Sequence, residues 1–332
     1  MQKNLMGTLV ALALGGGTLL GAGASPAGAA SAAEGAGAAG RSVAVQPATG
    51  AAGASARTGT GTVATASGVT ARATATDTAL KPKPKPRPKA VTFEGTVALS
   101  NCSGSVVKLP NSADRDRALV MTNGHCLEGG YLGPGEVVID RASSRSFNLL
   151  NAQAGTAGTV RATKVAYATM TDTDVALYEV NASYADIKRR FGVQPLALSA
   201  QHPKAGAAIS VVSGYWKQQY TCSVDGFVHE LREGRWTWKD SVRYTPECQT
   251  IGGTSGSPVV DTTTGAVIAV NNTGNESGER CTENNPCEVD ENGQVTVRPG
   301  INYGQQSYQI TRCVAAGNKV DLSLPGCTLP KP

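Results

Sequence analysis

Thr159-Val-Arg-Ala-Thr-Lys-Val-Ala-Tyr-Ala168, the turn Thr171-Asp-Thr-Asp174 and Val175-Ala-Leu-Tyr-Glu-Val180 lead into the polar segment 183–191. The two outer runs are rich in β-branched and aromatic residues and bounded by turn formers, so they read as strands. Segment 183–191, with Asp186, Lys188, Arg189 and Arg190, reads as a short helix ended by Gly192 and Pro195. The strand grammar repeats on both sides of it. Runs at 91–99, 105–109, 118–122, 136–140, 159–168 and 175–180 precede the helix. Runs at 207–215, 226–231, 236–244, 258–260, 266–271 and 295–297 follow it. Short strands so regularly spaced predict antiparallel sandwiches or barrels, here two β-units joined by a helical link.

Composition bounds where that fold can lie. Of the 332 residues 40% are hydrophobic and 5% aromatic, and no aromatic residue precedes Phe93. All eight cysteines and all three histidines lie beyond it as well, so residues 1–90 cannot build a core and residues 91–332 can. The formal charge of +5 is equally uneven. Residues 1–90 carry nine Lys/Arg against two Asp/Glu, while the remainder carries 21 against 23. A slightly acidic folded part argues against a nucleic-acid partner.

Lys3, the apolar run from Leu5 to Leu20 and the small residues Ala27-Gly-Ala-Ala30 read as an export signal over 1–30. The Gly15-Gly-Gly17 break favours a cleaved signal over the alternative of an uncleaved membrane anchor, and no membrane span is expected after signal removal. Residues 31–90 read as a disordered propeptide or spacer of Ala, Gly, Thr and Ser. They end in Lys81-Pro-Lys-Pro-Lys-Pro-Arg-Pro-Lys89, an extended cationic arm suited to contact with an anionic cell surface. A secreted, extracellular protein should pair its cysteines, and no Cys-x-x-Cys motif suggests metal. Eight cysteines allow 105 pairings; proximity along the chain favours Cys102 with Cys126, Cys222 with Cys248, Cys281 with Cys287 and Cys313 with Cys327.

Three segments carry chemistry. In Ile251-Gly-Gly-Thr-Ser-Gly-Ser-Pro-Val-Val260 the glycines permit a tight turn whose amides converge beside the Ser255 hydroxyl. Ala118-Leu-Val-Met-Thr-Asn-Gly-His-Cys126 brings an apolar strand into a turn bearing His125, whose imidazole titrates near neutral pH. Asp174 opens the apolar Val-Ala-Leu run, where a carboxylate can orient an imidazole; Asp172 competes for that role.

Together they resemble the chymotrypsin-like (trypsin-like) serine proteases, in the order His, Asp, Ser. The matching patterns are Thr122-Asn-Gly-His-Cys126, Asp174-Val-Ala-Leu177 and Gly253-Thr-Ser-Gly-Ser-Pro258. The resemblance implies an all-β fold of two antiparallel Greek-key β-barrels with the active site in the cleft between them. It implies a secreted serine endopeptidase acting on polypeptides through His125, Asp174 and Ser255, with an oxyanion hole from the Gly253 and Ser255 amides. It also implies a Cys102–Cys126 bridge, and neither cofactor nor metal; the chain is expected to act as a monomer. Thr254 stands where zymogen-activated members carry Asp, so that switch should be absent, as in the secreted bacterial branch that includes glutamyl endopeptidases. Substrate contacts would come from Gln249, Thr250, Asn271 and Asn272. Gln249 speaks against a Lys/Arg pocket, and Ala269-Val-Asn-Asn-Thr-Gly274 lacks the histidine of glutamate-specific members. The alternatives are a catalytically idle protease-fold module for surface binding, or an esterase using the same triad. His202 reads as an exposed turn residue, and Trp236 and Trp238 as packing.

Overall fold

The computed structural model describes residues 90–332; the expected signal at 1–30 and nearly all of the spacer at 31–90 lie outside the described residues. The first half contributes β1 (Thr96–Ala98), β2 (Ser103–Lys108), β3 (Arg117–Thr122), β4 (Val137–Ala142), β5 (Ser146–Leu150), β6 (Thr156–Thr169) and β7 (Val175–Ser183). Helix α1 (Tyr184–Phe191) and the short β8 (Leu196–Ala197) follow. The second half contributes β9 (Ala208–Ser213), β10 (Gln218–Glu233), β11 (Trp236–Tyr244), β12 (Pro258–Asp261), β13 (Val267–Gly274), β14 (Cys287–Val289), β15 (Val295–Val297) and β16 (Asn302–Gln306). A two-stranded piece, β17 (Val314–Ala315) with β18 (Lys319–Val320), ends the fold.

Each half closes on itself. The first ring runs β1-β2-β3-β7-β6-β5 and back to β1, antiparallel throughout. The second runs β9-β10-β11-β16-β13-β12 and back to β9, also antiparallel. In both, the fourth ring strand returns beside the first, which is Greek-key order. The one parallel pairing between named strands, β8 on β2, lies outside the rings.

The apolar runs around the site are strands buried on both faces. On β3, Ala118 and Val120 enter the first barrel's core while Leu119 and Met121 pack toward the second barrel. On β7, Ala176 and Tyr178 point inward while Val175 and Leu177 meet Val212, Val260, Val267 and Val270. Continuous rather than alternating hydrophobicity follows from that double burial. At about 1.5–3 kcal/mol per buried large side chain, this shared seam holds the two barrels in register. The second barrel has its own interior, including Val211, Val224, Val242, Tyr244 and Val259.

Helix α1 starts at Ser183, whose side chain accepts from Asp186 N while Asp186 returns a bond to the Ser183 amide. It ends at Gly192 with φ 67°. The structure differs from the sequence expectation at several strands. Only Thr96–Ala98 of 91–99 is extended, and β10 begins at Gln218, well before 226. Strands β5 and β16 carry no readable hydrophobic period. β16, Asn-Tyr-Gly-Gln-Gln, is buried throughout because its amides find partners: Gln305 exchanges bonds with Ser241, and Gln306 donates to Asp240 O. Disulfides join Cys102–Cys126, Cys222–Cys248, Cys281–Cys287 and Cys313–Cys327.

Candidate active site

Between the barrels lies a cavity of about 300 Å³ whose lining includes His125, Asp174, Gly253 and Ser255. Each lies in a turn that directly follows or leads into a strand. His125 sits in a single 3-10 turn, Gly124–Cys126, directly after β3. That turn is fixed from both sides. Asn123, fully buried, donates its amide to Asp174 O at 2.9 Å. Arg145, also buried, donates to Cys126 O at 2.5 Å, to Asn101 Oδ1 at 2.6 Å and to the Tyr178 hydroxyl at 3.2 Å.

Asp174 precedes β7 and is inaccessible to solvent. Its Oδ1 accepts from the His125 backbone N–H at 3.1 Å and its Oδ2 lies 2.7 Å from Nδ1 of the same residue. A charged carboxylate in that place keeps the proton on Nδ1 and leaves Nε2 as the free base. Burial of the ring pulls the His125 pKa down, but the charge and hydrogen bond of Asp174, joined by the charge of Glu233, outweigh it and the net shift is upward. Asp172 has no such role; it pairs with Lys239 on the surface.

The Ser255 turn belongs to the second barrel but is stitched to the first. Ser103 N donates to Ser255 O at 2.8 Å, and Gly256 rests against β2 and β3. A Cβ on Gly256 would lie 2.1 Å from Ser103 O and 2.2 Å from Thr122 Oγ1, at a φ of +80°. Only glycine permits that approach, so Gly256 fixes the serine relative to β3, which carries the histidine turn. Ser255 Oγ donates to Asn272 O at 3.4 Å.

Within the turn, Thr254 N, Gly256 N and Ser257 N are committed to Ile251 O, Asn271 O and Thr254 O. Among the described residues the Gly253 and Ser255 amides have no internal acceptor, the state an oxyanion site requires. Gly253 has φ +86°, and the carbonyl before it, Gly252 O, is held by Trp216 Nε1 at 2.7 Å. Since a trans peptide points its C=O and N–H in opposite directions, that bond turns the Gly253 N–H away from Trp216. Thr254 is buried, and its hydroxyl donates to Ile251 O while accepting from Asn271 Nδ2 at 3.1 Å.

Of the residues expected to touch substrate, Thr250, Asn271 and Asn272 line the cavity. Gln249 does not: it is exposed and its amide turns back to Pro246 O. Asn302 takes part instead, accepting from Thr250 Oγ1 at 2.8 Å and donating to Cys248 O at 2.8 Å. These groups are uncharged. Trp236 and Trp238 are core residues as expected, donating to Leu132 O and Met170 O, but their rings also wall the cleft. Tyr131 stands edge-on between His125 and Trp236, at 5.9 and 5.6 Å. Glu233 at the end of β10 was not legible as a site residue, because only the β10–β11 hairpin brings it to the cleft. His202 is exposed outside the strands as expected, and its Nε2 also lies 2.9 Å from Gln306 Nε2 and 3.2 Å from Asp240.

Cys102, His125 and Cys126 lie close enough to suggest a metal site. Both thiols are consumed by the Cys102–Cys126 bond, so the cluster offers no thiolate ligands.

Residues 102–270 match the family model described as the trypsin-like peptidase domain. No curated protein sequence matches the chain. Solved structures resemble it at low identity. The Rv3671c protease from M. tuberculosis, active form, is 17% identical over 73% of this chain and 85% of that one, with a TM-score of 0.41. Protease Anisep from Arthrobacter nicotinovorans is 16% identical over 65% and 90%, with a TM-score of 0.38. A Glu endopeptidase in complex with MPD is 15% identical over 64% and 85%, with a TM-score of 0.37. With half of the chain matched and two closed six-stranded barrels meeting at the cleft, the chain belongs to the trypsin-like peptidase domain family.

Proposed function

We propose that this chain is a secreted serine endopeptidase in which His125, Asp174 and Ser255 form the catalytic triad and the Gly253 and Ser255 amides form the oxyanion hole. The observation that carries the reading is the buried Asp174 carboxylate, which engages both the backbone and Nδ1 of His125 in a cavity that Ser255 also lines. A lone structural histidine needs no inaccessible acid fixing its tautomer beside a serine turn with two free amides.

The reaction follows from these positions. As Ser255 Oγ leaves Asn272 O and bonds to a substrate carbonyl carbon, its proton passes to His125 Nε2. The carbonyl oxygen takes the negative charge and receives the Gly253 and Ser255 N–H groups. Collapse breaks the C–N bond, and the imidazolium proton goes to the departing amine. Water, deprotonated by the same nitrogen, then splits the acyl ester and restores Ser255. Thr250, Asn272 and Asn302 offer the residue before the cleaved bond a polar, uncharged pocket, so neither a basic nor an acidic residue is favoured there.

Four disulfides among the described residues suit an oxidising compartment, which agrees with export through residues 1–30 and a spacer over 31–90. No described helix is long and apolar enough to cross a membrane. The test is intact-mass analysis after a fluorophosphonate probe, on wild type and on Ser255→Ala. One adduct on wild type and none on the variant is expected. An unlabelled, fully oxidised wild type, or a labelled variant, overturns the assignment.

A further inference from the structure

The cleft contains more negative charge than peptide hydrolysis calls for. Its lining includes Asp174, Glu233, Glu276 and Glu283 and no lysine or arginine. Asp174 is engaged by His125; the other three carboxylates form no ion pair with any described residue. Glu276 and Glu283 are exposed at the rim, but Glu233 is only 7% exposed. Its Oε1 accepts from Asn284 N at 2.9 Å, and its Oε2 is buried without a hydrogen-bond partner. Leaving a buried carboxylate oxygen unpaired is costly, and burial accordingly raises the Glu233 pKa despite the nearby Thr273 hydroxyl, the Asn284 amide and His125. Arg235, two residues along the hairpin, lies over the Trp236 ring at 4.9 Å rather than on any of these acids.

The wall that carries these groups is built rather than loose. Cys281–Cys287 closes it, and Gly234 N donates to Cys281 O at 2.8 Å. Asn275 Nδ2 donates to Glu279 O and Pro286 O, and Ser277 donates through its amide and hydroxyl to Asn285 Oδ1. Beside this wall runs an open strand edge. β12 pairs with β13 as far as Val270, and Asn271 still exchanges bonds with Gly256 and Ser257. Beyond it β13 keeps β16 on one side only, leaving Asn272–Thr273–Gly274 free on the other, with Asn272 O already beside Ser255 Oγ. An extended peptide can add to that edge, and its successive side chains then alternate sides. His125, Tyr131, Trp236 and Glu233 line the same cavity as Thr250 and Asn302, and Tyr131 bridges the His125 and Trp236 rings.

Building on the peptidase reading, we propose that Glu233, backed by Glu276 and Glu283, forms a second specificity site that binds a lysine or arginine side chain two or four residues before the cleaved bond. The cation supplies the partner that Glu233 Oε2 lacks, and the Tyr131 and Trp236 rings cover its aliphatic stem. The chain itself contains peptide of this chemistry in Lys81-Pro-Lys-Pro-Lys-Pro-Arg-Pro-Lys89, so the cation can come from a separate polypeptide or from this arm.

Two measurements on the full chain test the site. In the first, fluorescent peptides carrying Lys, Arg, Ala or Glu at each of the four positions before the bond are cleaved by wild type and by Glu233→Gln. A preference of about tenfold or more in kcat/KM for Lys or Arg over Ala at the second or fourth position is expected, shrinking severalfold in the variant. Equal rates for Lys and Ala at both positions, or a preference unchanged in Glu233→Gln, overturn the proposal. In the second, the affinity of a lysine-containing peptide is measured by fluorescence anisotropy on Ser255→Ala with and without Glu233→Gln. This needs no turnover, so it judges the cationic site even if the serine proves unreactive. Salt-sensitive binding weakened by Glu233→Gln supports the site, and binding indifferent to Glu233 overturns it. Repeating it with Lys81, Lys83, Lys85, Arg87 and Lys89 replaced by Ser separates the sources. Tighter binding of the added peptide marks the arm as the resident ligand, and unchanged binding marks a separate polypeptide.

Discussion

Gly256→Ala should disable the protein through geometry alone, without touching a catalytic side chain. The new Cβ would meet Ser103 O at 2.1 Å and Thr122 Oγ1 at 2.2 Å. A relaxed carbon–oxygen contact needs about 3.3 Å, so the turn must retreat by about 1 Å. Retreat breaks the 2.8 Å bond from Ser103 N to Ser255 O, worth about 1 kcal/mol, and an alanine at φ +80° costs about 1–2 kcal/mol more. The expected loss is roughly 2–4 kcal/mol, or about 5–15 °C in Tm for a domain of this size. Moving Ser255 by about 1 Å relative to His125 should slow fluorophosphonate labelling on the order of 100-fold. Gly265→Ala is the control: its φ is +73° but no atom lies within 4 Å of the added carbon. It should cost about 1 kcal/mol and leave labelling unchanged. Differential scanning calorimetry and labelling kinetics on both variants read the two effects. If Gly256→Ala melted and reacted like Gly265→Ala, the cross-barrel stitch would have no part in placing the serine.

Other outcomes follow from the same geometry. Because attack needs neutral imidazole and the His125 pKa lies above its ordinary value, kcat/KM should fall as pH drops through a midpoint above about 6.5. The sign for stability is opposite: the His125–Asp174 ion pair contributes fully below the unfolded pKa and is lost as pH rises through the folded one, which pH-dependent denaturation can follow. Asp174→Asn removes the leading attraction, so the rate midpoint should move down while kcat falls on the order of 10⁴-fold; an unmoved midpoint would contradict the assignment. Arg145→Met strands Cys126 O without its short donor and frees the histidine turn, so urea denaturation should register a loss of about 2–3 kcal/mol together with slower labelling; an unchanged urea midpoint would count against this bracing role. Replacing Cys281 and Cys287 together by Ser should cost about 2 kcal/mol, modest because the loop is short, yet should loosen the wall bearing Glu283 and Asn284. Calorimetry and hydrogen exchange at 275–289 test it.

The parts legible in the chain are those whose physics is local. Ser183 and Asp186 cap a helix within one turn, and Asn292-Gly293 marks the hairpin between β14 and β15. The double-faced apolar runs Ala118–Thr122 and Val175–Val180 announce strands because both of their faces need apolar partners. His125, Asp174 and Ser255 could be singled out because each joins a reactive group to a distinctive strand end or turn. β5 and β16 escaped for the converse reason. Strand β16 is buried by amides whose partners, Ser241 and Asp240, sit on another strand, so no periodicity betrays it.

Sequence by itself determined the β-rich class and the short-range cysteine pairings, and it singled out His125, Asp174 and Ser255 as candidates, since composition, turn chemistry and proximity act over a few residues. Tertiary structure alone decided which chemistry-bearing residues share a space. It put Glu233 into the cleft while turning Gln249 out of it, held Gly252 O on Trp216 so that the Gly253 amide is free, and set Arg145 behind the histidine turn. Those outcomes depend on barrel closure and hairpin register, which bring together residues tens to more than a hundred positions apart, and no local pattern encodes such distances.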